Sequence, residues 1–132
     1  MGLIASAKVH SLPAPWAGAV SSRQHQLLTD KPESAGGGDT GPAPYDLLCA
    51  GLIFCTMITL RMYAQHKGIE LGEFSVEADF HAGREGQEWI ERRLHFRNPL
   101  SAELQRKVLD ICSKTPVSKT LLRSLKISTT LA

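Results

Sequence analysis

The sequence lacks the features that mark a nucleic-acid-binding or metal-binding protein. Its formal net charge is only +2, and the basic residues are interspersed with acidic ones, so nucleic-acid binding is not expected. The three cysteines include no CxxC pair, which argues against a structural zinc site and against a thioredoxin motif. The five histidines show neither HxH nor HxxxH spacing. We therefore expect no metal and no bound cofactor.

No apolar run in the chain reaches the length of a bilayer span. The longest uncharged stretch, Leu47 to Leu60, has 14 residues, whereas a span needs about 18 to 20. This stretch therefore predicts a buried core helix and no membrane segment. The N-terminus lacks a basic region followed by a long apolar segment, which argues against a signal peptide. A cytoplasmic location with reduced thiols is the resulting expectation.

The N-terminal part of the chain predicts short strands followed by a loop. Short alternating pieces, such as Ala7 to Leu12 and Gln24 to Thr29, favour two or three strands joined by turns. The glycine run at 36–38 lacks both GxxxxGK[ST] and GxGxxG. It also follows no long buried strand, so it predicts a loop and not a phosphate site.

A long helix follows this loop. The residues from Tyr45 to about Lys67 are good helix formers, Asp39 or Thr40 can cap the helix, and Gly68 supplies a left-handed stop. The first half is apolar all round, which indicates burial on every side. A chain of 132 residues, expected to form one domain over residues 1–132, can hardly cover such a helix alone. We therefore expect a homodimer.

The C-terminal half predicts a hairpin, a shorter helix and a last strand. Alternation over Glu73 to His81 and Glu88 to Arg97 indicates an antiparallel hairpin. Ser101 can cap a helix that Pro116 ends. One face of this helix carries Leu104, Val108, Leu109 and Ile111. Residues 117–122 predict one or two more helical turns, and residues 124–131 predict a strand. The order of elements gives the α+β class.

The three cysteines limit which thiol chemistry is possible. Cys49 and Cys55 are six residues apart on the predicted helix, which separates them by about 240° and about 9 Å. A disulfide needs Cα atoms within about 7 Å, so these two cannot form one while the helix is intact. Cys112 is the remaining partner for Cys55 in the same chain. All three thiols also suit a core, because free cysteine often behaves as a small hydrophobic residue.

Two segments of the sequence resemble the OsmC/Ohr family of thiol-dependent hydroperoxidases, especially its OsmC-like branch. They are GGGDTGPAPYDLLCAGLIFCTMITLRMYAQHKG and DICSKTPVSKTLLRSLKISTTL. The resemblance implies an OsmC-like fold, in which an antiparallel sheet, a long central helix and a second short helix form an intertwined homodimer. It also places Cys55 where the family has its peroxide-attacking cysteine. The implied substrate is an organic hydroperoxide.

The same resemblance implies a second thiol and an external reductant. In the family, the oxidised first cysteine condenses with a resolving cysteine, and a dithiol reductant reopens the disulfide. The resolving cysteine immediately precedes Pro-Val, and Thr115 stands there in this chain. Cys112 lies three positions earlier. It is either the resolving thiol or a core residue.

A buried nucleophilic thiol needs a cation, because burial raises the pKa of a thiol. The family's catalytic arginine lies in the N-terminal strands, which makes Arg23 the implied candidate and His25 an alternative. Arg23 also suits a solvated strand position. Asp46 lies near the family's acidic site, although alignment on the cysteine puts Tyr45 there. Asp46 either caps the helix or acts on Cys55 across the dimer.

Two functions from different classes follow. The first is a homodimeric peroxidase with Cys55 as nucleophile, serving in oxidative-stress defence. The second is a catalytically degenerate dimer that binds an apolar small molecule or senses oxidants.

Overall fold

The computed structural model describes residues 2–132. These residues form two compact units, which divide between Leu48 and Cys49. The single domain expected over residues 1–132 stays a prediction.

The first unit contains a three-stranded antiparallel sheet. Its strands are β1 (Lys8–Ser11), β2 (Gly18–Ser22) and β3 (His25–Thr29), in the order β1-β2-β3. Arg23 lies in the two-residue turn between β2 and β3 and has a positive φ of 54°. The expected short strands are thus present, with the turn between the last two now located.

Asp30, directly after β3, organises the glycine-rich loop. Its buried carboxylate accepts hydrogen bonds from the backbone N–H groups of Lys31 (2.7 Å), Gly38 (3.2 Å) and Thr40 (3.3 Å), and from the Thr40 hydroxyl (2.9 Å). These donors hold the pKa of Asp30 below its ordinary value, with the Lys31 N–H contributing most. The Thr40 hydroxyl is thus bound to Asp30, and Asp39 has a left-handed backbone with a φ of 54°. The prediction that either residue caps the long helix is therefore wrong.

The long helix, α1, spans Pro44–Lys67, close to the predicted Tyr45 to Lys67. Asp46 accepts a hydrogen bond from the backbone N–H of Ala43 at 2.9 Å, so its carboxylate satisfies one of the donors that the helix start leaves free. The helix ends before Gly68, whose φ of 67° is left-handed as expected.

Only one stripe of α1 is buried, so the expected burial on every side is wrong for a single chain. The stripe consists of Leu52, Thr56, Leu60 and Ala64, which recur every fourth residue and therefore share a face. Phe54, in contrast, is 61% exposed. By length and composition alone, α1 could also cross a membrane, a property that it shares with core helices of soluble proteins.

The second unit continues from Cys49 with a hairpin and two helices. Strands β4 (Phe74–Ala82) and β5 (Glu88–Phe96) pair antiparallel, as predicted. Helix α2 (Ala102–Cys112) is capped by Ser101, whose hydroxyl accepts from the Leu104 N–H at 3.1 Å. Helix α3 (Pro116–Leu121) follows after a three-residue turn, so α2 ends at Cys112, before Pro116.

The core of this unit lies between α1, the hairpin and α2. Its buried members are Leu60, Ala64, Leu71, Val108 and Cys112, and partly buried side chains from β4, β5 and α2 pack around them. Leu109, predicted on the same face as Val108, is 64% exposed. The reason is that consecutive helical residues differ by about 100° in direction.

The last strand predicted from the sequence is absent. Residues 124–132 have no regular secondary structure, and Ile127 is 85% exposed. The alternation of Leu125, Ile127, Thr129 and Leu131 suits a strand, but a strand forms only where a neighbour supplies hydrogen bonds. Within the described residues, no edge pairs with this tail.

Candidate active site

Cys55 lies in the middle of α1, beside the buried stripe and not within it. Its neighbours Leu52 and Thr56 are buried, whereas Cys55 is half-buried. Its backbone carbonyl accepts a hydrogen bond from the Thr59 hydroxyl at 2.8 Å. The thiol is therefore carried by a helix, on a residue that keeps part of its surface accessible.

None of the three cysteines forms a disulfide. Since α1 runs without a break from Pro44 to Lys67, Cys49 and Cys55 lie about 9 Å apart along its axis. That separation excludes a bond between them, as the sequence predicted.

Arg92 is the charged residue that reaches into the interior of this unit. It pairs with Ala78 across the hairpin and points to the same side as the core residues Leu94 and Phe96, because alternate strand residues share a face. One guanidinium nitrogen, Nη1, donates to the hydroxyls of Thr56 and Ser118, both at 2.9 Å. The other, Nη2, donates to the carbonyl of Cys112 at 2.8 Å.

The hydroxyl hydrogens around Arg92 can be assigned from these contacts. Thr56 donates its hydrogen to the Leu52 carbonyl (2.7 Å), so towards Arg92 it acts as an acceptor. Ser118 donates to the Cys112 carbonyl (3.1 Å). Since each hydroxyl has a single hydrogen, Thr115 must be the donor in its 2.6 Å contact with Ser118.

Thr115 occupies the position where the family resemblance implies a resolving cysteine. It is fully buried, immediately precedes α3, and binds Ser118 through its hydroxyl. A hydroxyl cannot form a disulfide. The residue therefore stabilises the turn between α2 and α3 and supplies no thiol.

Cys112 is the buried thiol of this site. It is 4% exposed and belongs to the core cluster with Leu60 and Val108. Burial raises the pKa of Cys112 above its ordinary value, and the positive charge of Arg92 opposes that rise. Cys112 is thus a protonated thiol at neutral pH, less accessible than Cys55.

The other residues expected at the site, Arg23 and Asp46, belong to the first unit, whereas Cys55 and Cys112 belong to the second. Arg23 is exposed in its turn and forms no hydrogen bond or ion pair within residues 2–132, and its neighbour His25 is also exposed. The capping bond of Asp46 agrees with the first of its two expected roles. Action of Arg23 or Asp46 on Cys55 stays a prediction.

Sequence reasoning missed Arg92. The signal was present, since the alternation that puts Leu94 and Phe96 inside also puts Arg92 inside, whereas Arg93 points to the other face. Arg93 pairs with Glu77 (3.0 Å) and Asp79 (2.7 Å), and both carboxylates raise the pKa of Arg93. Hydrogen bonds from His95 and then Arg93 lower the pKa of Glu77. A charge at an inward strand position is a recognisable exception to the pattern.

The fold of this chain is similar to that of solved structures. The solved structures that share the fold include a protein of Psychrobacter arcticus named for osmotic stress induction and detoxification (18% identity, TM-score 0.77). They also include an OsmC-like protein of Mycoplasma pneumoniae (22%, 0.75) and an organic hydroperoxide resistance protein, OsmC, of Legionella pneumophila (21%, 0.69). The matches cover 91%, 92% and 90% of this chain, respectively, and 89% of each other chain. No curated protein sequence matches.

A model of the OsmC-like protein family matches residues 36–130. This match includes α1 with Cys55, the hairpin with Arg92, and the segment from Cys112 to α3. The chain therefore belongs to the OsmC-like protein family.

Proposed function

We propose that this protein is a cysteine-based peroxidase that reduces organic hydroperoxides, with Cys55 as the nucleophile. The observation that carries the proposal is the contrast between Cys55 and Cys112. Cys49, the third thiol of the second unit, is half-buried like Cys55, and the family resemblance is what favours Cys55 over it. Cys55 is half-buried on a rigid helix, whereas Cys112 is buried in the core. A small hydroperoxide needs a thiol that it can reach, and Cys55 is less buried than Cys112. A relative of the same fold is named for organic hydroperoxide resistance, which supports the choice of substrate.

The reaction begins at the outer oxygen of the hydroperoxide. The Cys55 thiolate attacks this oxygen, the O–O bond breaks, and the alkoxide takes up a proton and leaves as the alcohol. Cys55 becomes a sulfenic acid. The sulfenic acid then condenses with a thiol to give a disulfide and water, and an external dithiol returns both sulfurs to the reduced state. The protein itself needs no cofactor for this cycle.

Cys112 is the resolving thiol that we propose within the chain. It is the remaining cysteine that the geometry of α1 does not exclude. Its burial and raised pKa slow the condensation, because the thiolate is the reacting form. Arg23 is the proposed cation for the Cys55 thiolate, and Asp46 is proposed to act across the dimer.

The proposed assembly is a cytoplasmic homodimer that acts without nucleic acid, membrane or metal. Its support comes from α1, which exposes Phe54, Ile58 and Met62 along one side. Full burial of each such side chain is worth about 1.5 to 3 kcal/mol. A second copy of the chain would cover this surface.

Steady-state turnover of cumene hydroperoxide with a dithiol tests the peroxidase. Cys55→Ser should abolish turnover, whereas Cys49→Ser, the same substitution on the same helix, should leave it nearly unchanged. Absence of turnover in the native protein would refute the proposal. So would a Cys55→Ser variant that keeps its activity.

A second candidate function is favoured by Thr115. This residue fills the resolving position with a buried, hydrogen-bonded hydroxyl, which suits a dimer that has lost its catalytic cycle and binds an apolar small molecule or senses oxidants. Under this alternative, Cys55 accumulates as a sulfenic acid after one equivalent of hydroperoxide, and no turnover follows. Mass spectrometry distinguishes the two functions.

A further inference from the structure

Arg92 joins three segments of the second unit through one side chain. Its three hydrogen bonds reach α1 at Thr56, the end of α2 at the Cys112 carbonyl, and α3 at Ser118. Thr56 follows Cys55 directly in the sequence. The guanidinium thus links the turn of α1 next to one thiol to the backbone of the other.

The partners of Arg92 are all neutral. No carboxylate of residues 2–132 pairs with it, in contrast to Arg93, which pairs with Glu77 and Asp79. A half-buried charge without a counterion is costly, and an apolar residue would hold a strand against helices at a lower cost. The geometry shows where the charge acts: it binds the Cys112 carbonyl at the C-terminal end of α2, where a cation is favourable. The same charge also opposes the rise in the pKa of the Cys112 thiol.

We propose that Arg92 is a positioning residue for the Cys112 thiol, holding the segment from Cys112 to Ser118 against α1 beside Cys55. The reaction that it serves rests on the proposed function. In that reaction, an S–S bond forms between Cys55 and Cys112, the S–O bond of the Cys55 sulfenic acid breaks, and the thiol proton leaves with the hydroxyl as water. Arg92 touches neither sulfur, and it acts through the Cys112 backbone and through its charge.

The first test measures the thiol without any peroxide. Cys49→Ser with Cys55→Ser leaves Cys112 as the only thiol, and the ¹³Cβ chemical shift of Cys112 reports its ionisation as the pH is raised. In that background, Arg92→Met should move the titration midpoint upwards, because the favourable charge is lost. Arg93→Met is the matched control, on the adjacent residue and the opposite face, and should leave the midpoint in place. An unchanged or lowered midpoint in Arg92→Met overturns the proposal.

The second test measures position with the charge retained. Lysine keeps the positive charge but cannot reproduce the fork of a guanidinium. With all cysteines native, Arg92→Lys should slow formation of the Cys55–Cys112 disulfide about tenfold to a hundredfold, the scale of loss for a misplacement near 1 Å. Arg93→Lys should form it at the native rate. This test also decides the question if Arg92→Met does not fold.

Two oxidants are used so that failure of the Arg92 proposal can be distinguished from failure of the peroxidase proposal. One equivalent of cumene hydroperoxide is used first and diamide second, because diamide oxidises two thiols to a disulfide without a sulfenic acid. If only diamide gives the disulfide, the peroxidase fails and the rates with diamide still test Arg92. A native rate in Arg92→Lys, or no Cys55–Cys112 disulfide with either oxidant in the native protein, overturns the positioning role.

Discussion

Arg92 on β5 and Thr56 on α1 are joined by a hydrogen bond of 2.9 Å, although 36 residues separate them in the sequence. Thr56 accepts this bond because its own hydrogen goes to the Leu52 carbonyl. The bond fixes the hairpin against the central turn of α1, which carries Cys55. Because Thr56 is buried, loss of this hydrogen bond should affect the stability of the protein as well as the position of Cys55.

Thr56→Val should destabilise the protein by about 1 to 3 kcal/mol, the usual cost when a buried donor loses its acceptor. The substitution keeps the shape of the side chain and removes the oxygen that Arg92 needs. Thr59→Val is the control, because Thr59 also donates to a helix carbonyl but does not contact Arg92. Urea unfolding measures both variants. Equal free energies of unfolding would show that the Arg92 contact contributes nothing.

Thr115→Cys should speed the catalytic cycle by adding a resolving thiol at a second position. The introduced thiol stands at the family's resolving position, directly before Pro116. After one equivalent of hydroperoxide, mass spectrometry should find a disulfide between Cys55 and the introduced thiol, and turnover with a dithiol should rise at least about tenfold. Ser113→Cys adds a thiol at an exposed position two residues earlier and should change neither. Equal behaviour of the two variants would argue against a resolving position at Thr115.

Asp30→Asn should lower the stability of the protein at pH 7 but should have little effect on it in acid. The pKa of Asp30 is lower in the folded protein than its ordinary value of 3.8. Its charge therefore stabilises the fold above pH 3.8, and the contribution disappears as the pH falls through the folded pKa. Urea unfolding should give a lower free energy of unfolding for the variant than for the native protein at pH 7. Near pH 2 the two free energies should be equal.

Asp39→Asn in the same loop is the control for Asp30. Asp39 is exposed and lies outside the set of donors around the Asp30 carboxylate. We expect its substitution to change the stability little at either pH. If Asp30→Asn still has a lower free energy of unfolding than the native protein near pH 2, the carboxylate charge is not the cause of the destabilisation.

Ile58→Asp should convert the proposed homodimer into a monomer. Ile58 lies on the exposed apolar side of α1 with Phe54 and Met62, and a carboxylate there would be buried without a partner in a dimer. Sedimentation equilibrium at micromolar concentration should give a dimer for the native protein and for Lys119→Asp, a change at an exposed polar site on α3. A native monomer at that concentration would contradict the proposed assembly.

The elements with a local signal could be predicted from the sequence. The β4–β5 hairpin alternates and its two halves pair with each other, so local pattern and final structure agree. Helix α1 has good helix formers and a left-handed glycine at its end. The residue range of the hairpin and of α1 was therefore predicted within about two residues, which is the usual precision of such boundaries.

The features that depend on partners could not be predicted in the same way. Residues 124–131 alternate as clearly as β4, but a strand needs an edge to pair with, and the pattern says nothing about that edge. The prediction that Thr40 caps α1 was wrong for a similar reason. The Thr40 hydroxyl binds the Asp30 carboxylate and not the start of the helix. The alternation of β5 could have shown that Arg92 points inward, but the hydrogen-bond partners of Arg92 could not be predicted, because they lie 20 to 36 residues away in the sequence.

In the proposed homodimer, the exposed tail would link subunit association to the lifetime of the protein. Arg123 and Lys126 lie in or next to the irregular segment and are exposed, so a trypsin-like protease can reach them in an isolated chain. Pairing of the tail with a second copy would withdraw both cleavage sites. Chains that remain unassembled would then be shortened first, and a cell could remove surplus subunits without a dedicated recognition signal.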